Sequence, residues 1–225
     1  MRVSPIVAVA GTLALMSAHA GAARAPERTN RGHTVVSTHD PAVLIELPAS
    51  ATYVGADRWL LRKYADDIEL HAFVDADRAR QVRRLYWVQF EAYLPSRPEL
   101  QHRYTSRRHV TLGGMDFFLD TWLEHESAEE PDSDGAHLDT LLRSAGYRLP
   151  KSRISVRLVH LMDDSRRELM YIYSEDTVAT GFSADDLAKG GRAHDQWSGI
   201  EAAVIARAQR SIKFRNATQD SPLKK

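Results

Sequence analysis

The sequence has no cysteine among its 225 residues. This absence excludes disulfide bonds, thiolate metal sites, iron–sulfur clusters and cysteine nucleophiles. It also excludes a lipid carried on an N-terminal cysteine, so the chain is not expected to be a lipoprotein. The stability of the folded chain must therefore come from packing and from noncovalent polar contacts.

An excess of charge of either sign is also missing. The 30 basic residues balance the 30 acidic residues, and both kinds are spread along the chain. Because nucleic-acid-binding proteins carry clustered positive charge, we expect no nucleic-acid partner. With 43% hydrophobic residues, the chain has the composition of a globular protein with a sizeable core.

Several motifs that mark enzymes and cofactor sites are absent. The sequence has no serine nucleophile elbow, no glycine-rich dinucleotide or phosphate loop, and no paired-histidine zinc motif. Gly113 and Gly114 lie between two apolar segments, where they favour a tight turn. The sequence therefore predicts no cofactor and no metal, and it leaves open whether the protein is an enzyme.

Long apolar runs are missing except near the N-terminus. Arg2, the apolar residues 6–16 and the A-x-A pattern ending at Ala20 form the three parts of a secretory signal peptide, residues 1–20. The run is shorter than the ~20 residues that span a bilayer. We expect cleavage after Ala20, export to the periplasm or the exterior as a soluble protein, and no integral membrane segment afterwards.

The remaining residues divide into three parts. Residues 21–41 are mostly small or polar, which predicts a flexible leader, and residues 215–225 predict a flexible tail. Between them, residues 42–214 contain no linker and no repeat. They are predicted to form a single domain.

Within this domain, runs of β-branched and aromatic residues predict strands, several of them with a period-two alternation of apolar and polar residues, and turn residues mark two hairpins. The predicted strands cover residues 43–47, 58–64, 67–74, 82–94, 109–112, 115–124, 154–162 and 168–175. Helical spacing predicts helices over residues 136–144, 184–190 and 196–214. This order predicts an α+β fold, with a mostly antiparallel sheet of about six to seven strands and with an internal helix and a long C-terminal helix packed on one face.

The segment 82–94 is the densest in aromatic residues and is apolar on both of its faces. If even-numbered strand residues pack on the helices, the odd-numbered ones form a second face that mixes aromatic rings with polar groups. Such a face is too apolar to be left in water, so loops, a second copy of the chain or a ligand should cover it. From it we predict these ligand-binding residues: Phe73, Trp87, Gln89, Glu91, Arg157, Tyr171 and Tyr173.

The favoured functional interpretation is noncatalytic binding of a small, partly apolar ligand on this face. One alternative is a hydrolase or isomerase in which His71 acts as a general base with Glu69 or Glu91, while Arg157 holds an anionic group. Another alternative is a self-associating cell-envelope protein, with a homodimer formed through the same face. No spacing among these residues forms a known catalytic motif.

Overall fold

A computed structural model of the chain describes residues 24–61, 65–125, 130–162 and 164–217. The predicted signal peptide and most of the predicted tail lie outside these residues. The elements, in chain order, are β1 (Thr29–Arg31), β2 (Thr34–Thr38), β3 (Ala42–Glu46), β4 (Thr52–Leu61), β5 (Asp66–Ala76), β6 (Val82–Tyr93), β7 (His109–Leu112), β8 (Met115–His125), α1 (Asp134–Ser144), β9 (Ser152–Leu161), β10 (Arg167–Asp176), α2 (Ala184–Leu187), α3 (Trp197–Arg210) and β11 (Lys213–Asn216).

The largest element of the fold is a seven-stranded antiparallel sheet with the strand order β4-β5-β6-β10-β9-β8-β7. The aromatic segment predicted from the sequence is β6, which pairs with β5 on one side and with β10 on the other. Its ladder ends at Tyr93, shortly before Pro95, which has no backbone N–H to donate. The mostly antiparallel sheet and both predicted hairpins are confirmed.

A second, four-stranded sheet has the order β1-β2-β3-β11. Its strands β1 and β2 lie in residues 21–41, so the prediction of a flexible leader is wrong for this segment. The physical reason is that Val35 is fully buried at 0% exposure and packs in the same core as Ile45 of β3. A short alternating strand can thus be held by its neighbours even where the flanking residues are polar.

Two hydrophobic clusters cover opposite faces of the large sheet. One contains Ile45 of the small sheet and Val204 of α3, and we call the sheet face beneath it the α3 face. The other contains Leu138 and Leu142 of α1, and we call the sheet face beneath it the α1 face. The two helices therefore lie on opposite faces and do not share one face as predicted.

The C-terminal helix ends at Arg210, earlier than the predicted end at Phe214. The Ser211 hydroxyl donates to the Ala208 carbonyl oxygen at 2.7 Å, and the chain then extends as β11. There Phe214 stacks on Phe117 with ring centroids 4.9 Å apart. Pairing with the edge of β3 replaces the helical hydrogen bonds, and it places residues 215 and 216 in a strand and not in the predicted tail.

We expect Gly113→Ala to lower the free energy of unfolding by about 2 kcal/mol or more. The φ angle of Gly113 is +59°, and a Cβ there would lie 2.5 Å from the carbonyl oxygen of Phe214 in β11. Gly114 has a φ of +81° but open space around it, so Gly114→Ala is the matched control and should cost only about 1 kcal/mol. Urea denaturation measures both losses, and equal losses would contradict the close approach of this turn to β11.

Candidate functional site

The register of the large sheet divides the predicted site residues between its two faces. Phe73 lies opposite Tyr86, and Ala72 lies opposite Trp87, so Phe73 and Trp87 point to different faces. The predicted site residues on the α1 face are Trp87, Gln89, Glu91 and Arg157. Those on the α3 face are Glu69, His71, Phe73, Tyr171 and Tyr173. The expectation of one shared odd-numbered face is therefore wrong.

On the α3 face, His71 and Glu69 form a polar network in which each residue is 1% exposed. His71 Nε2 lies 2.9 Å from Glu69 Oε1, and His71 Nδ1 lies 3.2 Å from the Tyr53 hydroxyl. The backbone N–H groups of Glu27 and Arg28 donate to the Glu69 carboxylate at 2.7 Å. Burial would raise the pKa of Glu69, but these hydrogen bonds lower it to about 2. The network anchors the N-terminal segment to the sheet and leaves both ring nitrogens of His71 occupied.

The three aromatic residues on the α3 face that were predicted to bind a ligand belong to the hydrophobic core. Phe73 and Tyr171 are 0% exposed, and Tyr173 is 1% exposed. The Tyr171 hydroxyl lies 2.7 Å from the Ser211 hydroxyl, and the Tyr173 hydroxyl donates to Glu175. The protein itself covers these side chains, so they are not accessible to a ligand.

The α1 face carries a cleft of about 1330 Å³ between the large sheet, α1 and residues 146–153. Two ion pairs lie in its lining: Arg83 donates to Asp176 at 2.7 Å, and Arg153 lies 2.5 Å from Glu124. Its apolar walls are formed by Leu85, Trp87, Trp122, Leu138, Tyr147, Leu149, Ile172 and Phe182. Trp87 is thus a predicted ligand-binding residue that the structure places in a cavity.

Four carboxylates lie near the other end of the α1 face, and we call Asp66, Glu91, Asp134 and Glu168 the carboxylate cluster. The pairing of β6 with β10 sets Glu91 directly opposite Glu168. Asp66 lies on the neighbouring strand β5, and Asp134 is the first residue of α1. Like charges directly opposite each other on paired strands destabilise a sheet. The cluster therefore needs protons or a cation to offset its charge.

Neutral polar side chains hold the carboxylates in place and connect them to the cleft. The Gln89 amide nitrogen donates to Glu91 at 2.5 Å and to Asp134 at 2.9 Å. The Gln89 amide oxygen accepts from the indole N–H of Trp87 at 2.6 Å. Trp87 also lines the cleft, so one chain of hydrogen bonds runs from the cavity wall to the carboxylate cluster.

The carboxylate cluster shifts the pKa of its members upward because the groups are buried together. Burial, with the Asp134 carboxylate nearby, raises the pKa of Asp66 to about 7. Burial raises the pKa of Glu168 to about 7, although the Tyr104 hydroxyl, 2.8 Å from both of its oxygens, opposes this shift. Burial and the Glu168 charge raise the pKa of Glu91 well above its usual range. Such shifts mark functional sites as well as structural networks.

A histidine adjoins the carboxylate cluster from the segment between β6 and β7. His102 Nδ1 lies 3.3 Å from Glu168 Oε2, and burial lowers the pKa of His102 to about 4, so its ring is neutral. Glu91, His102 and Glu168 each offer a donor atom within 4.8 Å of the other two. The sequence predicted no metal-binding set, since these residues come from three separate segments and form no spacing motif. For the same reason the sequence does not predict five residues of this region as site residues: Asp66, His102, Tyr104, Asp134 and Glu168.

No protein-family model, curated protein or solved structure matches this chain. Within the part of the chain that the structure describes, no helix is long and apolar enough to span a membrane. Function must therefore be inferred from the geometry of the cleft and of the carboxylate cluster.

We expect Glu168→Gln to stabilise the protein at pH 8, on the order of 2 kcal/mol in the presence of EDTA, and to change its stability little near pH 4. In the unfolded chain Glu168 ionises near its usual pKa of 4.5, whereas the folded protein retains the proton to about pH 7. The folded state binds more protons in this window, so its stability falls as the pH rises. Urea denaturation across this pH range measures the effect.

Glu175→Gln is the control from the same strand. The two carboxylate oxygens of Glu175 accept hydrogen bonds from Arg207 at 2.7 and 2.8 Å. Burial opposes this ion pair, but the pKa of Glu175 is lowered, so the substitution should destabilise the protein at pH 8. A loss of stability in both variants at pH 8 would contradict the assignment of Glu168 as a carboxyl group that holds its proton.

Proposed function

We propose that the protein is a noncatalytic binder of a small, partly apolar ligand, which occupies the cleft on the α1 face. The observation that carries the proposal is the size of this cavity, about 1330 Å³, together with its aromatic and aliphatic walls. Small-molecule sites are concave and mainly apolar, with a few polar groups that fix orientation. A cavity of this volume can enclose a ligand of drug size or larger.

The walls favour a ligand that is apolar along most of its length. Trp87 and Trp122 contribute indole rings, and the Trp122 N–H is already used by Glu124 at 2.7 Å.

The charged residues of the lining add a preference for the polar end of the ligand. Arg83 and Arg153 pair with acidic neighbours, whereas Arg148 and Lys151 add two further positive charges. An apolar ligand with a small polar or anionic end therefore matches this lining better than a cationic one.

The catalytic alternative has less support. His71 and Glu69 are each 1% exposed, and both ring nitrogens of His71 have partners. Glu91 lies on the α1 face, so it does not pair with His71 across the sheet. A substrate would have to displace structural hydrogen bonds to reach this general base.

Self-association also has less support. Among the described residues, Leu60 at 37% and Val178 at 72% are the exposed large hydrophobic side chains. Stable homodimer interfaces bury broad apolar areas. Two separate side chains do not provide such an area, so the cleft is the better candidate for an apolar contact.

We expect Trp122→Ala to weaken binding of the apolar dye anilinonaphthalene sulfonate about tenfold, because an indole wall of the cleft is lost. Trp197→Ala is the matched control, since Trp197 packs on the α3-face core and does not line the cleft. Fluorescence titration measures the dissociation constants, and circular dichroism melting checks that both variants fold. An equal effect of the two substitutions would contradict binding in the cleft.

Export belongs to the same proposal and rests on residues 1–20, which lie outside the described residues. When the full chain is expressed in a Gram-negative host, we expect the periplasmic protein to begin at Gly21. Intact-mass measurement of that fraction determines the start. Ala20→Leu should block this cleavage, and an unprocessed wild-type chain in the cytoplasm would contradict export.

A further inference from the structure

Three donor atoms converge on one point of the carboxylate cluster. One atom from each of Glu91, His102 and Glu168 lies within 4.8 Å of the other two. The sheet fixes two of these donors, since Glu91 and Glu168 are directly paired across β6 and β10. Metal ions in proteins bind nitrogen and oxygen donors at about 2.0–2.2 Å, so donors on opposite sides of one ion are separated by about twice that distance.

Three buried polar atoms of the carboxylate cluster and of His102 have no hydrogen-bond partner among the described residues. They are Oδ1 of Asp66, a residue that is 5% exposed, Oδ1 of Asp134, and Nε2 of His102, a residue that is 9% exposed. Asp66 lies on the same face as Glu91 and is close enough to act electrostatically on both Glu91 and Glu168. Buried polar atoms in proteins are almost always satisfied, so these three indicate that a group completes the site.

The local charge calls for a cation. Arg157 acts electrostatically on Glu168, but its Nη2 already donates to Asp120 at 2.9 Å. Neighbouring side chains orient the two carboxylates that would ligate the ion. The Tyr104 hydroxyl donates a hydrogen bond to Glu168, and the Gln89 amide nitrogen donates one to Glu91. In metal sites, hydrogen bonds of this kind orient the ligating side chains and tune their affinity for the ion.

We propose that Glu91, Glu168 and His102 bind one divalent transition-metal ion of the Zn²⁺ or Mn²⁺ type. The mixture of imidazole and carboxylate donors favours such ions over Mg²⁺ and Ca²⁺, which prefer oxygen donors alone. The site lies on the α1 face beside the cleft, and metal binding does not depend on what the cleft binds.

The test starts with full-length mature protein treated with EDTA, dialysed and titrated with Zn²⁺ and with Mn²⁺ by calorimetry. We expect one ion per chain, and at least tenfold weaker binding of Ca²⁺ and Mg²⁺. Glu168→Gln removes a charged donor at nearly constant shape, and His102→Phe keeps a ring to stack on Tyr93. Each variant should weaken Zn²⁺ binding about a hundredfold or more, whereas Glu46→Gln in the small sheet should leave it unchanged.

Two results would overturn the proposed site, and a third would overturn the choice of metal. One is the absence of binding to the wild-type protein, which would show that the cluster is neutralised by protons alone. The other is full binding by both variants, which would place the ion at exposed histidine–carboxylate pairs such as those of His39 and His109. Equal affinity for Ca²⁺ would overturn the choice of a transition metal.

A measurement on the wild-type protein applies even if a variant fails to fold. The Trp87 indole N–H is linked through Gln89 to Glu91, so bound Mn²⁺ should broaden its nuclear magnetic resonance signal. The Trp197 signal, from α3 across the sheet, should broaden much less at one equivalent of Mn²⁺. Comparable broadening of the two signals would contradict a site at the carboxylate cluster.

Discussion

Both faces of the seven-stranded sheet are covered, and this constraint determines where polar groups of the interior can lie. Clusters that include α3 and the small sheet cover one face, and α1 packs on the other. Strands that are buried on both sides cannot direct their polar side chains to water. Each carboxylate on β5, β6 or β10 therefore needs a hydrogen-bond donor, a cation or a proton from within the protein.

The two faces meet this requirement in different ways. On the α3 face, Glu69 accepts hydrogen bonds from two backbone N–H groups, and Glu175 accepts hydrogen bonds from the guanidinium of Arg207. The pKa of each carboxyl group is lowered. On the α1 face, Glu91 and Glu168 lie opposite each other and their pKa values are raised. A carboxylate that is hydrogen-bonded or paired with a cation stabilises the fold at neutral pH, whereas two carboxylates that repel each other weaken it. The α1 face is therefore where a functional explanation is required.

The sequence predicts features that depend on neighbouring residues, and it fails where distant segments decide. Alternation correctly places β5, β-branched and aromatic content correctly places β6, and glycines mark the turn at Gly113. The shared odd-numbered face fails because each pairing from β5 through β6, β10 and β9 to β8 joins odd-numbered to even-numbered residues along its regular part. Connections with an even number of residues produce this alternation, and no single strand reveals it. The prediction that the C-terminal helix includes Phe214 fails for the same reason, since the pairing of Phe214 with β3 is nonlocal.

The candidate sites show the same limit at the level of side chains. Glu91 and Trp87 were predicted because an unusual strand carries them, whereas Asp66 and Glu168 resemble solvent-facing positions at strand ends. Their partner His102 comes from a segment without regular structure. What joins the two sites is α1, which begins at Asp134 in the carboxylate cluster and carries Leu138 into the cleft one turn later. At a rise of about 1.5 Å per residue, these two residues lie about 6 Å apart along the helix axis, so one turn of α1 contributes a side chain to each site.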